Sequence, residues 1–178
     1  MLNIEMMKRL LCFAIAMFIG TMAHSQSLKK YPISNSGCTV YAFCALDNFE
    51  TSLSEDSSVV YTAECAKDDI HYGVILVKLS EKVATLDDAE TSLTAYLHYL
   101  QSAFNITEAI PYGKGNILKE NKNTRGIVAY WKDKESNNWK VKAWTDTQFI
   151  AVLYAFSAKQ LPDTKLNIFL DGFRFSGM

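Results

Sequence analysis

Hydrophobic positions along the chain alternate between a period of two and a period near four, which predicts strands and helices in succession. Apolar side chains fill both alternations of residues 70–77 and 149–156, a pattern typical of strands that are covered on both faces. Between these segments, apolar residues recur at helical spacing, at Leu86, Ala89, Leu93, Leu97, Leu100 and Phe104. The pattern therefore predicts a sheet with buried central strands and a long helix packed on it.

The connections between the predicted strands indicate antiparallel pairing. Residues 67–69 and 135–138 are too few for a parallel crossover, which takes about a dozen residues or more. Residues 106–124 contain Pro111, Gly113 and Gly115 and are expected to be mostly loop. The order predicts an α+β fold, specifically a three-layer α/β/α sandwich with a mostly antiparallel central sheet and two main helices. Strands are predicted at 39–43, 49–53, 59–66, 70–79, 126–132, 139–145 and 149–156, and helices at 85–104 and after Pro162.

The first 25 residues have the pattern of an export signal. Lys8 and Arg9 precede an apolar run over residues 10–19, and small residues follow it. About ten apolar residues are too few to span a bilayer, which takes roughly 20. We therefore expect a secreted or periplasmic protein with no transmembrane segment after cleavage. It would consist of a flexible polar lead-in, residues 26–37, and a single domain, residues 38–175.

Three cysteines follow the predicted signal: Cys38, Cys44 and Cys65. In an oxidising compartment this number predicts one disulfide and one remaining thiol. We favour Cys44–Cys65, because a hairpin that turns at residues 54–55 would place these two cysteines opposite each other. Cys38–Cys65 is the alternative pairing.

The charge of the chain is close to balanced, at −1. Residues 47–90 nevertheless carry eleven acids against three lysines, and residues 112–142 carry eight basic residues against three acids. Two oppositely charged faces that keep the domain soluble are the simpler interpretation. A patch for an acidic partner or an anionic lipid is the alternative. The net charge gives no general attraction to nucleic acid, so no nucleic-acid partner is expected.

No arrangement of residues in the sequence indicates catalysis, a metal ion or a cofactor. His71 and His98 have no partner at metal-ligand spacing. The paired carboxylates at 55–56, 68–69 and 87–88 lie at turns or at a helix start, without the alternating spacing of a calcium loop. No serine lies in a nucleophile elbow. We therefore assign no catalytic or metal-binding residue.

The most distinctive surface candidate is the predicted hairpin over residues 126–145. Its second arm is expected to bury Trp139 and to turn its other face to solvent. Exposed aromatic residues beside cations are typical of interfaces, sugar platforms and membrane-surface contacts. One of Trp131 and Trp144 is expected to face outward, whereas the simpler interpretation is that the tryptophans bury sheet area beneath lysine stems. The candidate binding surface comprises Trp131, Lys132, Lys140, Lys142 and Trp144.

The order of elements, from the hairpin at 59–77 to the closing helix, resembles that of the PsbP-like superfamily. The ending Phe169-Leu170-Asp171-Gly172-Phe173-Arg174-Phe175 adds to this resemblance, which covers residues 38–175. The superfamily includes the photosystem II extrinsic protein and small exported bacterial relatives of unassigned function. The resemblance implies an α/β/α domain that serves as a binding or accessory module, usually without enzymatic activity. It carries over no catalytic residue.

These observations lead to two functional hypotheses. The first is an exported, non-enzymatic binding or accessory module that acts on a protein or cell-envelope partner through the tryptophan–lysine hairpin. The alternative is a small secreted hydrolase or small-ligand carrier, with a pocket between the sheet and the helix that begins near Thr85.

Overall fold

The computed structural model describes residues 28–118 and 121–178, with the backbone alone at Pro111 and Tyr112. The predicted export signal and the first residues of the predicted lead-in lie outside the described residues. The described strands are β1 (Lys29–Pro32), β2 (Thr39–Ala42), β3 (Glu50–Leu53), β4 (Val59–Lys67), β5 (Ile70–Lys78), β6 (Ile106–Asn116), β7 (Arg125–Asp133), β8 (Asn138–Thr145) and β9 (Phe149–Ser157). The described helices are α1 (Leu86–Ala103) and α2 (Asp163–Leu170).

Seven of these strands form one sheet in the order β3-β4-β5-β9-β8-β7-β6, and every neighbouring pair is antiparallel. β1 and β2 form a separate two-stranded antiparallel sheet. After β5 the chain passes through α1 to the far edge and then returns strand by strand to β9. The predicted α+β class, with an antiparallel sheet and two helices, is confirmed.

The central strands β5 and β9 are buried on both faces, as their apolar pattern predicts. Residues 74–77 and 150–153 are at most 6% exposed. Alternate residues of these strands belong to two separate apolar clusters. One cluster includes the α1 residues Leu93, Leu97 and Leu100, and the other includes the α2 residues Leu166, Phe169 and Leu170. The core of the described residues is therefore divided into two clusters, one that includes residues of α1 and one that includes residues of α2.

Helix α1 begins where its sequence signals place it. The backbone N–H of Asp88 donates to Thr85 Oγ1 at 3.1 Å, which satisfies one of the free donors of the first turn. Ala89, Leu93, Leu97 and Leu100 are the buried stripe of the helix. The helix packs chiefly over β6, β7 and β8. The same face of β4 and β5 therefore lies beside α1 rather than beneath it.

The predicted flexible lead-in is wrong for its described part. Residues 29–32 form β1, which pairs with β2. Tyr31 is 9% exposed and Ile33 is fully buried in the apolar cluster beneath α2. These two alternating apolar residues lie among polar ones, so their local pattern is too short to predict a strand. Packing against the core supplies the stabilisation that the local sequence lacks.

The predicted loop over residues 106–124 is also largely wrong, because residues 106–116 form β6. This strand lies at the edge of the sheet and pairs with β7 through three register shifts. An edge strand accommodates Pro111 and the nearby glycines, since one of its sides carries no ladder and bulges absorb extra residues. The breaker residues therefore indicate an irregular edge strand rather than a loop.

Gly73 on β5 lets an aromatic side chain cross the sheet surface. It pairs with Tyr154 on β9, and a Cβ on Gly73 would lie 1.9 Å from the Tyr154 Cζ. The Tyr154 ring therefore lies over the backbone of β5, and its hydroxyl donates to Glu64 Oε2 on β4 at 3.0 Å. Glycine is required here because any other side chain would displace this ring.

The cysteines pair as the favoured prediction has them. Cys44 and Cys65 form a disulfide with a Cα–Cα distance of 5.9 Å. Cys38 is free and only 1% exposed. Burial raises the pKa of the Cys38 thiol to about 11. The thiol therefore stays protonated and unreactive at neutral pH, since the thiolate is the reactive form.

We predict that Gly73→Ala destabilises the protein by about 2 kcal/mol, the typical cost of overpacking. Urea unfolding measures this change in the free energy of unfolding. Gly113→Ala is the matched control, because its new Cβ would meet only the Asn116 amide nitrogen, at 3.6 Å. The double variant Gly73→Ala/Tyr154→Ala should lose less stability than the sum of the single variants. Additive losses would show that the ring contact is not the cause.

We predict that iodoacetamide at pH 8 leaves Cys38 unmodified in the folded chain and modifies it in urea. Cys44 and Cys65 should be modified only after reduction. Peptide mass spectrometry assigns each site. Rapid modification of Cys38 under native conditions would contradict its burial.

Candidate functional site

The predicted tryptophan–lysine surface does not present a tryptophan to solvent. Trp131, Trp139 and Trp144 are each at most 6% exposed. Trp131 and Trp139 pair across β7 and β8 in the cluster beneath α1, whereas Trp144 lies in the other cluster and its Nε1 donates to the Leu170 carbonyl at 3.4 Å. The expectation of an outward tryptophan is wrong, because all three tryptophans lie within the two apolar clusters.

Two of the three lysines of the candidate surface, Lys140 and Lys142, are held by carboxylates at the two ends of α2. Lys140 Nζ lies 2.8 Å from Asp163 Oδ1, and the Lys140 side chain is 5% exposed. Lys142 Nζ lies 2.8 Å from Asp171 Oδ1. Lys132 is half-buried and 3.9 Å from Glu108. The face of β8 expected to be exposed to solvent is therefore covered. The methylene stems of Lys140 and Lys142 extend along it, and their ammonium groups pair with Asp163 and Asp171.

A hollow of about 370 Å³ lies outside α2, and another of about 350 Å³ lies along the flank of α1 nearest β6 and β7. A larger one, of about 600 Å³, lies on the opposite flank of α1. Its floor is apolar and is formed by Val60, Val77 and Ile150. One wall is the flank of α1, and the other is formed by the loops at residues 54–58 and 79–83. The hollow lies between the helix and the sheet, in the region that the alternative hypothesis requires for a pocket.

A second hollow, of about 420 Å³, lies further along the same strands. Its floor includes Thr62 and Ile75, which are the next residues on the same faces of β4 and β5 after Val60 and Val77. Same-face residues of a strand lie only about 7 Å apart. The two hollows therefore adjoin, and we call them together the groove. The second hollow is also lined by Asn48, Glu50, Ala63, Glu64, Phe104 and Tyr154.

Hydrogen bonds hold the closed end of the groove. The backbone N–H of Ser80 donates to Ser58 Oγ at 3.0 Å, and Ser58 Oγ donates to Asp56 Oδ2 at 2.9 Å. Hydrogen bonds from Ser54 and Ser58 lower the pKa of Asp56. Asp56 therefore keeps a fixed negative charge at this end of the groove.

Glu64 is fixed at the other end of the groove. Its carboxylate accepts from the Tyr154 hydroxyl, and its Oε1 lies 3.0 Å from His71 Nδ1. The His71 ring stacks on Phe156 with centroids 4.5 Å apart. Burial, and then the charge of Glu64, raise the pKa of the Tyr154 phenol well above its ordinary value. Tyr154 therefore remains a donor to Glu64 throughout the physiological pH range.

Two tyrosines line the helical wall of the groove. The rings of Tyr96 and Tyr99 stack with centroids 5.9 Å apart, and Tyr99 is 64% exposed. Burial, with a smaller contribution from Tyr99, raises the pKa of Tyr96 to about 12. Both rings offer hydroxyl groups and aromatic faces to an occupant.

The ionisable side chains that line the two hollows are acidic: Asp56, Glu81, Glu50 and Glu64. Among the described residues, Lys82 belongs to the 79–83 loop without lining the hollows, and His71 contacts Glu64 from outside them. No described residue pairs with the carboxylates of Glu50 and Glu81. The groove therefore combines an apolar floor with an acidic rim.

No family model matches the chain, and no curated protein matches it. The chain is similar to the solution structure of cyanobacterial PsbP (CyanoP) from Synechocystis sp. PCC 6803. The two are 13% identical, the match covers 87% of this chain and 96% of that chain, and the TM-score is 0.44. A likeness of this size assigns no function, partner or residue role.

Within the described part of the chain, no group of three or more histidine, cysteine or acidic side chains could hold a metal ion. Neither of the helices described is long and apolar enough to cross a membrane.

The sequence contains a signal for the groove, since all four groove carboxylates come from the acid-rich stretch of residues 47–90, for which a solubilising face is the simpler interpretation. The stretch becomes a site only because β3, β4 and the loop before α1 lie along one flank of that helix. This arrangement depends on which strands α1 covers. The spacing of apolar residues in the helix predicts its buried face but not the strands on which it packs.

Asp133 organises the turn between β7 and β8. Its Oδ2 accepts from Trp139 Nε1 and from Asn137 Nδ2, both at 2.9 Å, and its Oδ1 accepts from the backbone N–H groups of Glu135 and Asn137. Burial raises the pKa of Asp133, but the hydrogen bonds to its charged form outweigh burial and lower it overall. The carboxylate therefore stabilises the folded hairpin only while it is ionised.

We predict that Asp133→Asn destabilises the protein by about 2 kcal/mol at pH 7, because an amide leaves donors unpaired. The folded-state pKa lies below the unfolded one, so ionised Asp133 contributes stability above about pH 4 and loses this contribution as the pH falls through its folded-state pKa. The difference between variant and wild type should therefore shrink toward pH 3 in urea unfolding. Glu135→Gln, at an exposed position of the same turn, is the control and should change little.

Proposed function

We propose that the chain is an exported, non-enzymatic binding or accessory module, and that a protein or cell-envelope partner occupies the groove. The observation that carries this proposal is the open groove beside α1, with its apolar floor and acidic rim. Burial of an apolar floor supplies affinity, and fixed polar groups at the rim supply orientation.

The engagement of the groove carboxylates supports binding rather than catalysis. Asp56 accepts hydrogen bonds from its own loop, and Glu64 accepts one from Tyr154. Such contacts fix the position of a charge for recognition. The floor is apolar, and the half-buried Val60 and Tyr96 together with the exposed Tyr99 offer area to an occupant.

Two features support export. The sequence of residues 1–25 has the pattern of an export signal. The Cys44–Cys65 disulfide is of the kind that persists in oxidising compartments.

We also propose that the domain has the three-layer arrangement of the PsbP-like superfamily. The support is the separation of the core into two clusters, one with α1 and one with α2. The order of elements, with a helix between β5 and β6 and a closing helix after β9, is consistent with this arrangement.

The volume of the first hollow favours a small-ligand carrier as a second candidate. Pockets for small ligands have volumes of about 300–1,000 Å³, and this hollow has about 600 Å³. A carrier would use the first hollow alone, whereas a protein partner would extend into the second.

We predict that Ala95→Trp lowers partner capture at least about tenfold, because the indole would fill the first hollow. Ala95 is exposed on the groove flank of α1, so folding should be retained. Capture of envelope components by the immobilised protein, quantified by mass spectrometry, measures the effect.

The control is His98→Trp, which places the same side chain at an exposed position on the opposite flank of α1. Components lost with Ala95→Trp but kept with His98→Trp would support the proposal. Equal capture by the wild type and both variants would remove the groove from consideration.

A further inference from the structure

We infer that the groove binds a basic segment of a partner protein, held in extended conformation along β4 and β5. This inference rests on the proposed function and specifies its partner. It follows from the charge, the apolar floor and the length of the groove together.

Charge complementarity selects a cationic occupant. Glu50 and Glu81 are exposed and have no described partner, so each can accept a new ion pair without losing an old one. Asp56 is held ionised by its loop. Carboxylates along a concave surface attract cations and repel acidic competitors, which favours both fast association and selectivity.

The positions of the groove carboxylates determine where the cationic side chains of the occupant must lie. Asp56 and Glu81 line the first hollow, and Glu50 and Glu64 line the second. The apolar floor runs between these two pairs. A chain with lysine or arginine side chains toward the rim and apolar side chains toward the floor satisfies both features, and an extended strand alternates in this way.

The aromatic wall suits the same occupant. Tyr99 is 64% exposed beside the partly buried Tyr96, so their rings are open to contact. Cationic side chains pack their methylene stems on apolar surface and their charged groups against aromatic faces. An acidic or purely apolar segment would leave this wall and the rim carboxylates unused.

The length of the groove requires a segment rather than a single cation. The lining residues of β4 and its preceding turn run from Ser58 to Glu64. At about 3.3 Å per residue, this stretch is roughly 20 Å long, which is the length of about six extended residues. A small amine would fill one hollow and reach one pair of carboxylates.

The test uses the full chain labelled with ¹⁵N and titrated with the peptide acetyl-Lys-Val-Lys-Leu-Lys-Val-amide. Amide shifts should change at Val60, Thr62, Val77 and Tyr99. The counterpart with glutamate in place of lysine should bind at least about tenfold more weakly, and added salt should weaken the lysine peptide. n-Butylammonium is the single-cation probe and should bind far more weakly than the peptide.

The variant Glu50→Gln/Glu81→Gln should lower peptide affinity at least about fivefold, because it removes one charge from each end of the groove. The control variant Asp87→Asn/Glu135→Gln loses the same net charge at exposed positions outside the groove and should bind as the wild type does. Equal effects of both variants would indicate general electrostatic attraction and overturn the inference.

Three other results would also overturn the inference: equal binding of the glutamate peptide, shift changes confined to another surface, or n-butylammonium binding as tightly as the peptide. The two experiments distinguish failure of this inference from failure of the proposed function. Failure of the peptide to bind, with capture still lost in Ala95→Trp, would overturn only the basic segment. Unchanged capture in Ala95→Trp would overturn the proposed function as well.

Discussion

Burial of both faces of β5 and β9 is the constraint on which the rest of the structure depends. Strands with no polar face must be covered on both sides, and here their apolar residues belong to two clusters, one that includes α1 and one that includes α2. The hairpin of β7 and β8 continues the same sheet. Trp131 and Trp139 therefore belong to the cluster that includes α1, and Trp144 belongs to the cluster that includes α2. Lys140 and Lys142 of this hairpin extend to carboxylates beside α2, which keeps their charged groups paired while their stems add to the covered area.

The groove follows from the same constraint and from the width of the sheet. Seven strands at about 4.8 Å spacing make a sheet roughly 29 Å wide, whereas a helix with its side chains is only about 10–12 Å across. One helix therefore cannot cover the whole face. Because α1 packs chiefly over β6, β7 and β8, the face beside it is less fully covered at β4, where Val60 is half-buried, than at β5, where Val77 is buried. The groove is the part of the face that α1 does not cover.

The sequence predicts most of this fold, because its strongest patterns are long. The apolar runs at residues 70–77 and 149–156 are long enough to predict buried strands. The apolar residues at helical spacing after Thr85 extend over enough turns to predict a helix rather than a strand. The strands β1 and β6 are missed because pairing and core contacts stabilise them against a weak local pattern. The placement of Trp144 is missed for a related reason, since strand parity gives the face of a residue but not whether a distant element covers that face.

The sheet order has a consequence for how the protein is made. Val74 on β5 pairs with Leu153 on β9, so the central ladder joins residues roughly 80 positions apart. Such non-local pairing is slow to form, because closing the long intervening chain into a loop costs conformational entropy before the contacts can stabilise it. The β4–β5 hairpin cannot gain its inner neighbour until nearly the whole polypeptide has been synthesised. If the chain is exported as proposed, this order would leave the central ladder unformed while the polypeptide passes through the membrane.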